Sequence, residues 1–282
     1  MYRVINGKAK NKNRLKQIKM DLKLKGKKAF ISGSTQGIGY AIAQQLLTEN
    51  VEVTINGRQK EKTEQAKNKL QQQFPNSTIS AITADFTNKE EVEMLLGELN
   101  DIDILINNVG IFEVKEFQYI TDKDWYDYFE INVMSSVRLS RLLLPQMLNK
   151  KWGRIIFISS ESGVNIPGNM IHYGMTKAAI MAIGNGMSKL TKGTEVTVNT
   201  ILGGPTYSSG VANVVEQIAE NQHISVDQMK NAIMQQTNPH SLLQRFIEPS
   251  EIANLATYLS SPLSIATNGS CLRADGGVLK TI

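Results

Sequence analysis

The sequence predicts an α/β fold, a single domain built on a doubly wound parallel sheet of about seven strands with helices on both faces. Three observations predict it. Short apolar runs alternate with longer stretches of helical periodicity along the chain. A glycine-rich segment joins the first apolar run to the first helical stretch. No internal repeat and no linker of biased composition divides the 282 residues.

The composition excludes several classes of protein. Hydrophobic residues make up 41% of the chain, enough for a sizeable core, and no apolar run is long enough to predict a membrane span. The one cysteine, Cys271, cannot form an internal disulfide, and we expect it to be a small buried residue of a late strand. This usage fits a reducing compartment and predicts a cytoplasmic protein. The three histidines are scattered, so we expect no metal site.

Positive charge is concentrated at the start of the chain. Residues 1–19 carry seven Lys and Arg side chains and no acid, and without these seven the net charge of +5 becomes −2. The segment has no apolar core, so it does not resemble a secretory signal. We interpret it as a basic N-terminal extension, disordered or loosely docked, rather than a nucleic-acid-binding arm. The folded domain is therefore expected over residues 20–282.

The first predicted strand, residues 29–32, runs into a glycine-rich turn and then a helix that continues through Leu47. The turn, residues 33–39, reads GSTQGIG and has the spacing Gly-x-x-x-Gly-x-Gly. Glycines here let the backbone approach a diphosphate, whose charge is stabilised at a helix N-terminus. A purely structural tight turn is the alternative, and the strand–turn–helix context favours the phosphate-binding interpretation.

The second predicted strand, residues 51–55, ends before Asn56, Gly57 and Arg58. A site for NAD commonly places a carboxylate after this strand to bind the ribose hydroxyls. Here Gly57 leaves room, and the Arg58 guanidinium suits a 2′-phosphate by its charge and forked geometry. A solvated arginine opening the next helix is the alternative. We therefore predict NADP(H) as the preferred cofactor, with NAD(H) as the second choice.

Two further strands are predicted to end in polar residues. After a helix over residues 59–73 and a strand near residues 79–83, Asp85 could accept a hydrogen bond from an adenine amino group or cap the next helix. The strand at residues 103–106 is followed by the sequence NNVG, residues 107–110. Amides at the carboxyl end of a parallel strand fit a ligand-binding edge, and they would equally suit a sharp turn.

Residues 122–150 are predicted to be mostly helical, with Pro145 bending or closing the last part. Asn132 lies inside an apolar pattern. A buried amide needs hydrogen-bond partners, so Asn132 is either a satisfied core residue or part of a proton relay.

Tyr173 and Lys177 would lie one turn apart on a helix predicted over residues 170–190, close to Ser160 at the end of an apolar strand. An ammonium beside the phenol would lower its pKa from ~10 towards neutrality, as general acid–base chemistry requires. The pair alone would equally fit a helix surface. Tyr119 and Lys123 repeat its spacing without an accompanying serine.

The last third of the chain contains a strand at residues 196–201, a turn at residues 202–206 and a long polar segment, residues 207–245, with weak helical patterning. A segment of this kind after a strand end predicts a substrate-side lid. Proline and acid placement then predicts a helix from Pro249, and a final strand is expected near residues 270–273.

Taken in order, these motifs make residues 20–282 resemble the main branch of the short-chain dehydrogenase/reductase family, whose members have a single Rossmann-like domain. The resemblance implies a catalytic set of Asn132, Ser160, Tyr173 and Lys177. It implies cofactor contacts at Gly33, Ser34, Gln36, Gly37, Ile38, Gly39, Arg58, Asp85, Phe86, Asn108, Gly110, Tyr173, Lys177, Gly204 and Thr206. It also implies a homo-oligomer, a tetramer or dimer, in which Gly184 and Gly186 would let the Tyr173 helix approach a partner closely.

The resemblance implies hydride transfer between a nicotinamide and a small-molecule carbonyl or secondary alcohol. Tyr173 would exchange the proton, Ser160 would hydrogen-bond the substrate oxygen, and Lys177 would lower the pKa of the phenol and hold the nicotinamide ribose. Asn132 would support a water that links Lys177 to solvent. An NAD-linked alcohol dehydrogenase of the same family is one alternative, and a non-catalytic dinucleotide-sensing or scaffold protein is the other. An acyl thioester, a sugar and a cyclic ketone all fit as substrates, and neither nucleic acid nor a membrane is expected as a partner.

Overall fold

The computed structural model describes residues 20–280, so the extension predicted at residues 1–19 lies outside the described residues. Within them, seven parallel strands form one sheet. The strands are β1 (Lys28–Ile31), β2 (Glu52–Gly57), β3 (Ile79–Thr83), β4 (Ile104–Asn107), β5 (Trp152–Ser160), β6 (Glu195–Gly203) and β7 (Cys271–Ala274). Their order across the sheet is β3-β2-β1-β4-β5-β6-β7, which confirms the predicted doubly wound fold.

Helices connect the strands and cover both faces of the sheet. They are α1 (Gly37–Thr48), α2 (Lys60–Gln73), α3 (Lys89–Glu98), α4 (Asp122–Phe129), α5 (Ser135–Lys150), α6 (Ile171–Ser188), α7 (Ser209–Asn221), α8 (Val226–Thr237) and α9 (Pro249–Ser260). A π-helical turn, Glu130–Met134, joins α4 to α5.

Side-chain alternation along the strands divides the core between the two faces. Ile31 and Ile106 point to the face covered by α1, α2 and α9. Phe30 and Leu105 point to the opposite face, under α3, α5 and α6. Each buried side chain of this size contributes roughly 1.5–3 kcal/mol, so the apolar strands hold helices on both sides.

The strand order reverses between β1 and β4, which are neighbours in the sheet although two strands separate them in sequence. The connections after these two strands leave in opposite directions, which opens a crevice at the carboxyl edge. The polar turns predicted after β1 and β4 therefore meet at one place.

Pro145 was expected to bend or close the helix, and it does not close it. The proline lies inside α5, and the helix continues past it to Lys150. The chain leaves the helix at Lys151, whose φ of 57° is in the left-handed region.

Cys271 corrects one prediction, because its side chain is exposed and not buried. The residue opens β7, which is the last strand of the sheet and pairs with β6 alone. An edge strand is covered on fewer sides than a central one, so an apolar or small residue there need not be buried.

Gly184 was expected to let the Tyr173 helix approach a partner subunit, but it faces the core of its own chain. A Cβ at this position would lie 2.8 Å from the Thr200 Oγ1 and 3.3 Å from the Phe157 ring, so the close approach that this glycine permits is to the sheet of its own chain. A Cβ at Gly186 would meet nothing within 4 Å, so only Gly186 presents a bare backbone away from the chain's own core.

The segment predicted as a lid, residues 207–245, contains two helices, α7 and α8, which share a small apolar core of Val215, Ala219 and Met229. Its two ends lie side by side. The Tyr207 N–H donates to the Ile247 carbonyl at 2.8 Å, and the Ile247 N–H donates to the Pro205 carbonyl at 2.8 Å. The segment therefore leaves the body of the domain and rejoins it at one point.

No helix within residues 20–280 has the length and apolar character needed to cross a membrane.

We predict opposite effects for alanine at the two glycines of α6. Gly184→Ala places a methyl group against Thr200 and Phe157 and should destabilise the protein by about 1–3 kcal/mol, because overpacking outweighs the gain in helix propensity. Gly186→Ala meets no atom and should stabilise the fold by up to about 1 kcal/mol. Urea unfolding midpoints measure both, and a stabilising Gly184→Ala would contradict the packing described.

Candidate active site

The glycine turn after β1 is held by side chains from two neighbouring strands. Gly33 and Gly37 have φ of +60° and +61°, a region that favours glycine. The Asn108 amide donates to the Gly33 carbonyl at 2.7 Å, and the Ser32 hydroxyl accepts from the Asn108 N–H at 3.0 Å. The Asn56 side chain accepts from the Gly33 N–H at 3.1 Å. The turn is thus fixed by hydrogen bonds to residues at the ends of β2 and β4.

Helix α1 begins at this turn with its N-terminus free of protein partners. No side chain caps the helix at Gln36, and its first turn contains no acidic residue. The backbone N–H groups there have no helical acceptor, and the helix dipole places partial positive charge at the same end. This is the arrangement that binds a phosphate group.

A cavity of about 400 Å³ lies over this helix end, within the usual size of small-molecule sites. It extends from the ends of β2 and β3 to the end of β4 and reaches the start of α7. Its lining is Gly33, Thr35, Gln36, Gly37, Ile38, Asn56, Gly57, Arg58, Ala84, Asp85, Phe86, Thr87, Asn108, Val109, Gly110, Ile111, Phe112, Ile131, Ser208, Ser209 and Gly210.

Nine of the cofactor residues predicted from sequence line the cavity: Gly33, Gln36, Gly37, Ile38, Arg58, Asp85, Phe86, Asn108 and Gly110. Ser34 and Gly39 lie behind it. The Ser34 hydroxyl is buried and donates to the Ile31 carbonyl at 2.7 Å. A Cβ at Gly39 would come within 2.6 Å of both the Asn108 amide nitrogen and the Gly33 carbonyl oxygen. These two residues support the turn from the protein side.

Gly204 and Thr206 also lie outside the cavity lining. A Cβ at Gly204 would be 2.6 Å from the Asp275 carbonyl oxygen, so this glycine permits close packing of the last turn of the chain. The Thr206 hydroxyl donates to the Gly204 carbonyl at 2.8 Å.

Sequence reasoning missed several lining residues. Ser208, Ser209 and Gly210 border the cavity from the start of α7, and Phe112 borders it from the segment after β4. Thr35 could have been predicted as a lining residue, because it lies inside the glycine turn. No local sequence pattern marks the two serines as cavity residues, since it is the fold of the 207–245 segment that places them near β1.

Arg58 and Asp85 bring opposite charges to the cavity. The exposed Arg58 follows β2 directly, and Gly57 before it could not carry a side chain without meeting Thr35 and Thr63. Asp85 accepts from the Thr87 N–H at 2.9 Å and from its hydroxyl at 2.8 Å, and Asn88, not Asp85, caps α3. Both side chains could contact a nucleotide at this end.

Ser160, Tyr173 and Lys177 meet because the turn after β5 packs tightly on α6. A Cβ at Gly163 would lie 2.9 Å from the backbone carbon of Lys177, and a Cβ at Gly174 would lie 2.7 Å from the Ser162 carbonyl oxygen. The Ser159 hydroxyl also donates to the Lys177 carbonyl at 2.9 Å. One glycine on each side of this contact therefore lets the turn after β5 pack against the helix.

Lys177 is buried, and its ammonium donates to the Ile158 carbonyl at 3.0 Å. The Nζ lies 5.5 Å from the centre of the Tyr173 ring. Burial lowers the pKa of Lys177 to about 8, and the Glu161 carboxylate acts in the opposite direction. A Cβ at Gly110 would lie 3.3 Å from Nζ, so the ammonium lies behind Gly110, which lines the cavity, and Lys177 itself is not a lining residue.

The pKa of the Tyr173 phenol shifts in the direction opposite to that expected from the sequence. Burial raises its pKa above the ordinary value, with the Ser160 hydroxyl lowering it and the Glu161 charge raising it. The expectation that Lys177 would make the phenol acidic is therefore not met by the protein alone, because desolvation dominates. The Tyr173 ring stands edge-on to Phe112, with centroids 6.2 Å apart; Phe112 lines the cavity, and Tyr173 and Ser160 are not lining residues themselves.

Asn132 is buried in the π-helical turn and uses its amide fully. Its Oδ1 accepts from the Ile111 N–H at 2.7 Å, and its Nδ2 donates to the Ile111 carbonyl at 3.0 Å and to the Thr176 hydroxyl at 3.0 Å. It ties the segment after β4 to α6 one residue from Lys177. The π-helical geometry is common at functional sites and leaves carbonyls free of regular helical bonds.

Glu161 lies directly after Ser160 and turns its carboxylate back into the site. One oxygen accepts a short hydrogen bond from the Ser160 hydroxyl, and the other accepts from the Ser162 hydroxyl at 3.1 Å. Burial raises the pKa of the Glu161 carboxyl.

The second Tyr-x-x-x-Lys lies on the surface. Tyr119 is 67% exposed, and Lys123 pairs with Asp127 at 2.5 Å. Among residues 20–280, no group of three or more His, Cys, Asp or Glu side chains is arranged to hold a metal ion.

Comparison with known proteins agrees with this geometry. The sequence pattern described as short chain dehydrogenase matches residues 27–219. The chain belongs to the short chain dehydrogenase family. An uncharacterized oxidoreductase of Bacillus subtilis, YvaG, is 41% identical over 263 residues, covering 93% of this chain and 100% of that protein. The D-beta-hydroxybutyrate dehydrogenase of Cupriavidus necator is 30% identical over 258 residues, covering 90% and 98%.

Among solved structures, an L-sorbose reductase of Gluconobacter frateurii complexed with NADPH and L-sorbose has a TM-score of 0.87 at 28% identity, covering 93% of this chain and 100% of that one. This short chain dehydrogenase is therefore an oxidoreductase of a family that acts on hydroxyl and carbonyl substrates with nicotinamide cofactors.

The buried ammonium predicts a pH-dependent stability effect. With a pKa of about 8 in the folded state and ~10.4 when unfolded, Lys177 pays its full desolvation cost below pH 8. Lys177→Met should therefore raise the free energy of unfolding at pH 7 by about 1–3 kcal/mol. The gain should shrink between pH 8 and 10, where the wild-type side chain folds in its neutral form. Urea unfolding across this range measures it.

The exposed Lys60 offers the matched control, since Lys60→Met should show neither the gain at pH 7 nor its loss at higher pH. A Lys177→Met protein that is less stable than wild type at pH 7 would mean that the ammonium contributes more through its hydrogen bond than it costs by burial.

Proposed function

We propose that this chain is an NADP(H)-dependent oxidoreductase that interconverts a carbonyl and a secondary alcohol, with Tyr173 as general acid and base. The observation that carries the proposal is the meeting of the Ser160 hydroxyl, the Tyr173 phenol and the Lys177 ammonium next to two residues that line the cavity over the glycine turn. Gly110 and Phe112 line that cavity, and they adjoin Lys177 and Tyr173 respectively.

The cavity suits a dinucleotide by its shape and its charge. Positive φ at Gly33 and Gly37 lets the backbone approach a diphosphate, and the uncapped start of α1 offers N–H donors to it. Asp85 and Phe86 border the end at which an adenine would lie. The bound nicotinamide would supply or accept a hydride.

The charged groups support proton donation in the reducing direction. Because burial raises its pKa, Tyr173 holds its proton at neutral pH, which is the form needed to protonate the oxygen of a reduced carbonyl. The Ser160 hydroxyl would hydrogen-bond that oxygen as its negative charge develops. Lys177 would stabilise the phenolate that remains, and Asn132 would hold the Lys177 helix in place through Thr176. Oxidation would need a phenolate and costs about 1.4 kcal/mol for each unit by which the pKa exceeds the working pH.

Arg58 supports NADP(H) over NAD(H). The chain has no carboxylate at the end of β2 to bind the 2′- and 3′-hydroxyls of an NAD ribose. The exposed guanidinium lines the cavity instead, and it matches a phosphate by charge and by its parallel N–H donors.

The proposal also covers the domain bounds, the lid, the oligomeric state and the cellular compartment. Residues 20–282 form the oxidoreductase domain, and residues 207–245 act as a substrate-side lid, since Ser208, Ser209 and Gly210 already border the cavity. The chain assembles as a homotetramer or dimer, in keeping with its exposed Phe117, Tyr126 and Phe129. It works in the cytoplasm. Light scattering would count the subunits.

Tyr173→Phe should lower kcat by a factor of about 100–10,000, because it removes the proton donor and leaves the ring in place. NADPH should still bind, since the phenol contributes little to the cavity. Nicotinamide absorbance with a panel of carbonyls measures turnover, and fluorescence titration measures binding. Tyr119→Phe is the matched control and should behave as wild type. Residual turnover close to that of wild type would reject Tyr173 as the acid.

Arg58→Ala should weaken NADPH binding by a factor of about 10–100, the loss expected for a charge-assisted hydrogen bond. NADH has no 2′-phosphate, so its affinity should change by less than about twofold. Lys60→Ala removes a neighbouring exposed cation that does not line the cavity, and it should alter neither affinity. Equal losses for the two cofactors would favour the NAD-linked alternative.

A further inference from the structure

A carboxylate, that of Glu161, is hydrogen-bonded to the predicted catalytic serine, and proton transfer to the substrate gives no reason for it. Glu161 begins the one-turn helix Glu161–Gly163, and its side chain folds back onto Ser160. Its two oxygens accept from the hydroxyls of Ser160 and Ser162, and the backbone N–H groups of Ser162 and Glu161 also stabilise the carboxylate. The hydroxyl expected to bind substrate therefore donates to Glu161 while no substrate is present.

The negative charge of Glu161 acts on the neighbouring Tyr173 and Lys177. It raises the pKa of both Tyr173 and Lys177, the two groups that flank the substrate oxygen. Burial raises the pKa of Glu161 itself, so its carboxylate is poorly solvated and depends on protein donors. Any group that a substrate places here must suit a desolvated acceptor.

Binding of a carbonyl changes the hydrogen bonds of this acceptor. When the Ser160 hydroxyl turns to the substrate oxygen, one Glu161 oxygen loses its donor. The Ser162 hydroxyl and backbone N–H groups still stabilise Glu161, but a desolvated carboxylate oxygen that loses one donor is less stable. A site built to accept from a substrate hydroxyl disfavours an analogue that lacks it. A hydroxyl near the carbonyl would restore the bond, whereas a substrate carboxylate would add a second negative charge.

We propose that Glu161 is a specificity-determining residue that selects neutral, hydroxylated carbonyl substrates and excludes those that carry a carboxylate. The inference rests on the proposed function and names its substrate class. Both kinds of substrate occur in the names of related proteins, L-sorbose in one and D-beta-hydroxybutyrate in another, so the shared fold does not decide between them.

The first test compares matched ketones with NADPH as reductant. The pairs are hydroxyacetone with pyruvate, and L-sorbose with 5-ketogluconate. Wild type should prefer the neutral member of each pair in kcat/KM by at least tenfold. Glu161→Gln keeps the shape and an acceptor oxygen but removes the charge, and it should reduce this preference at least tenfold, chiefly through KM. Glu161→Asp keeps the charge and should retain the preference.

The second test needs no turnover. Calorimetry on the enzyme saturated with NADPH compares butane-1,3-diol with 3-hydroxybutyrate, which share a carbon skeleton and differ in charge. Wild type should bind the diol more tightly, and Glu161→Gln should lose at least tenfold of that discrimination. Glu113→Gln removes another carboxylate, one that is exposed and outside the cavity lining, and should change nothing.

The outcomes separate the two proposals. Unchanged discrimination in Glu161→Gln, or a wild type that prefers the carboxylate-bearing partner, overturns the role of Glu161 and leaves the oxidoreductase chemistry intact. A wild type that reduces no carbonyl with NADPH counts against the proposed function, and the calorimetric comparison then still decides whether Glu161 selects by charge.

Discussion

The burial of one ammonium, that of Lys177, is the constraint on which the packing of Ser160 and Tyr173 around it depends. A desolvated cation needs a fixed acceptor, and the Ile158 carbonyl supplies one inside the sheet. A side chain at residue 110 would crowd the ammonium, and the Lys177 helix can pack on the turn after β5 because Gly163 and Gly174 lack side chains. Desolvation of this ammonium lowers the stability of the fold, and such a loss is common where activity and stability compete.

The dinucleotide end is organised in a different way, by neutral hydrogen bonds. Ser32, Asn56 and Asn108 come from the ends of three neighbouring strands and hold the glycine turn from below. These bonds occupy the backbone at Gly33 and fix the turn, and the start of α1, which no side chain caps, remains for a ligand. Rigid support of this kind lowers the entropy cost of ordering the loop when a ligand binds.

Sequence reasoning predicted the strands well because a parallel sheet buries both faces, so each central strand reads as an apolar run. It placed Tyr173, Lys177 and Ser160 correctly as neighbours because helical spacing and strand ends are local features. It misjudged Cys271, whose exposure depends on its strand being at the edge. It also misjudged the pKa of Tyr173, because desolvation is set by the whole fold and not by the nearest charge in sequence. Ser34 and Gly39 show a third limit, since a motif does not reveal which side of a turn faces the ligand.

The paired backbone bonds between Pro205, Tyr207 and Ile247 have a consequence for how such proteins diversify. Because the α7–α8 excursion begins and ends at one spot, lengthening or replacing it leaves the order of the strands untouched, and the entropy of closing a longer loop grows only slowly. The excursion can therefore change in length or sequence without moving the strand ends or the helix that carries Tyr173 and Lys177.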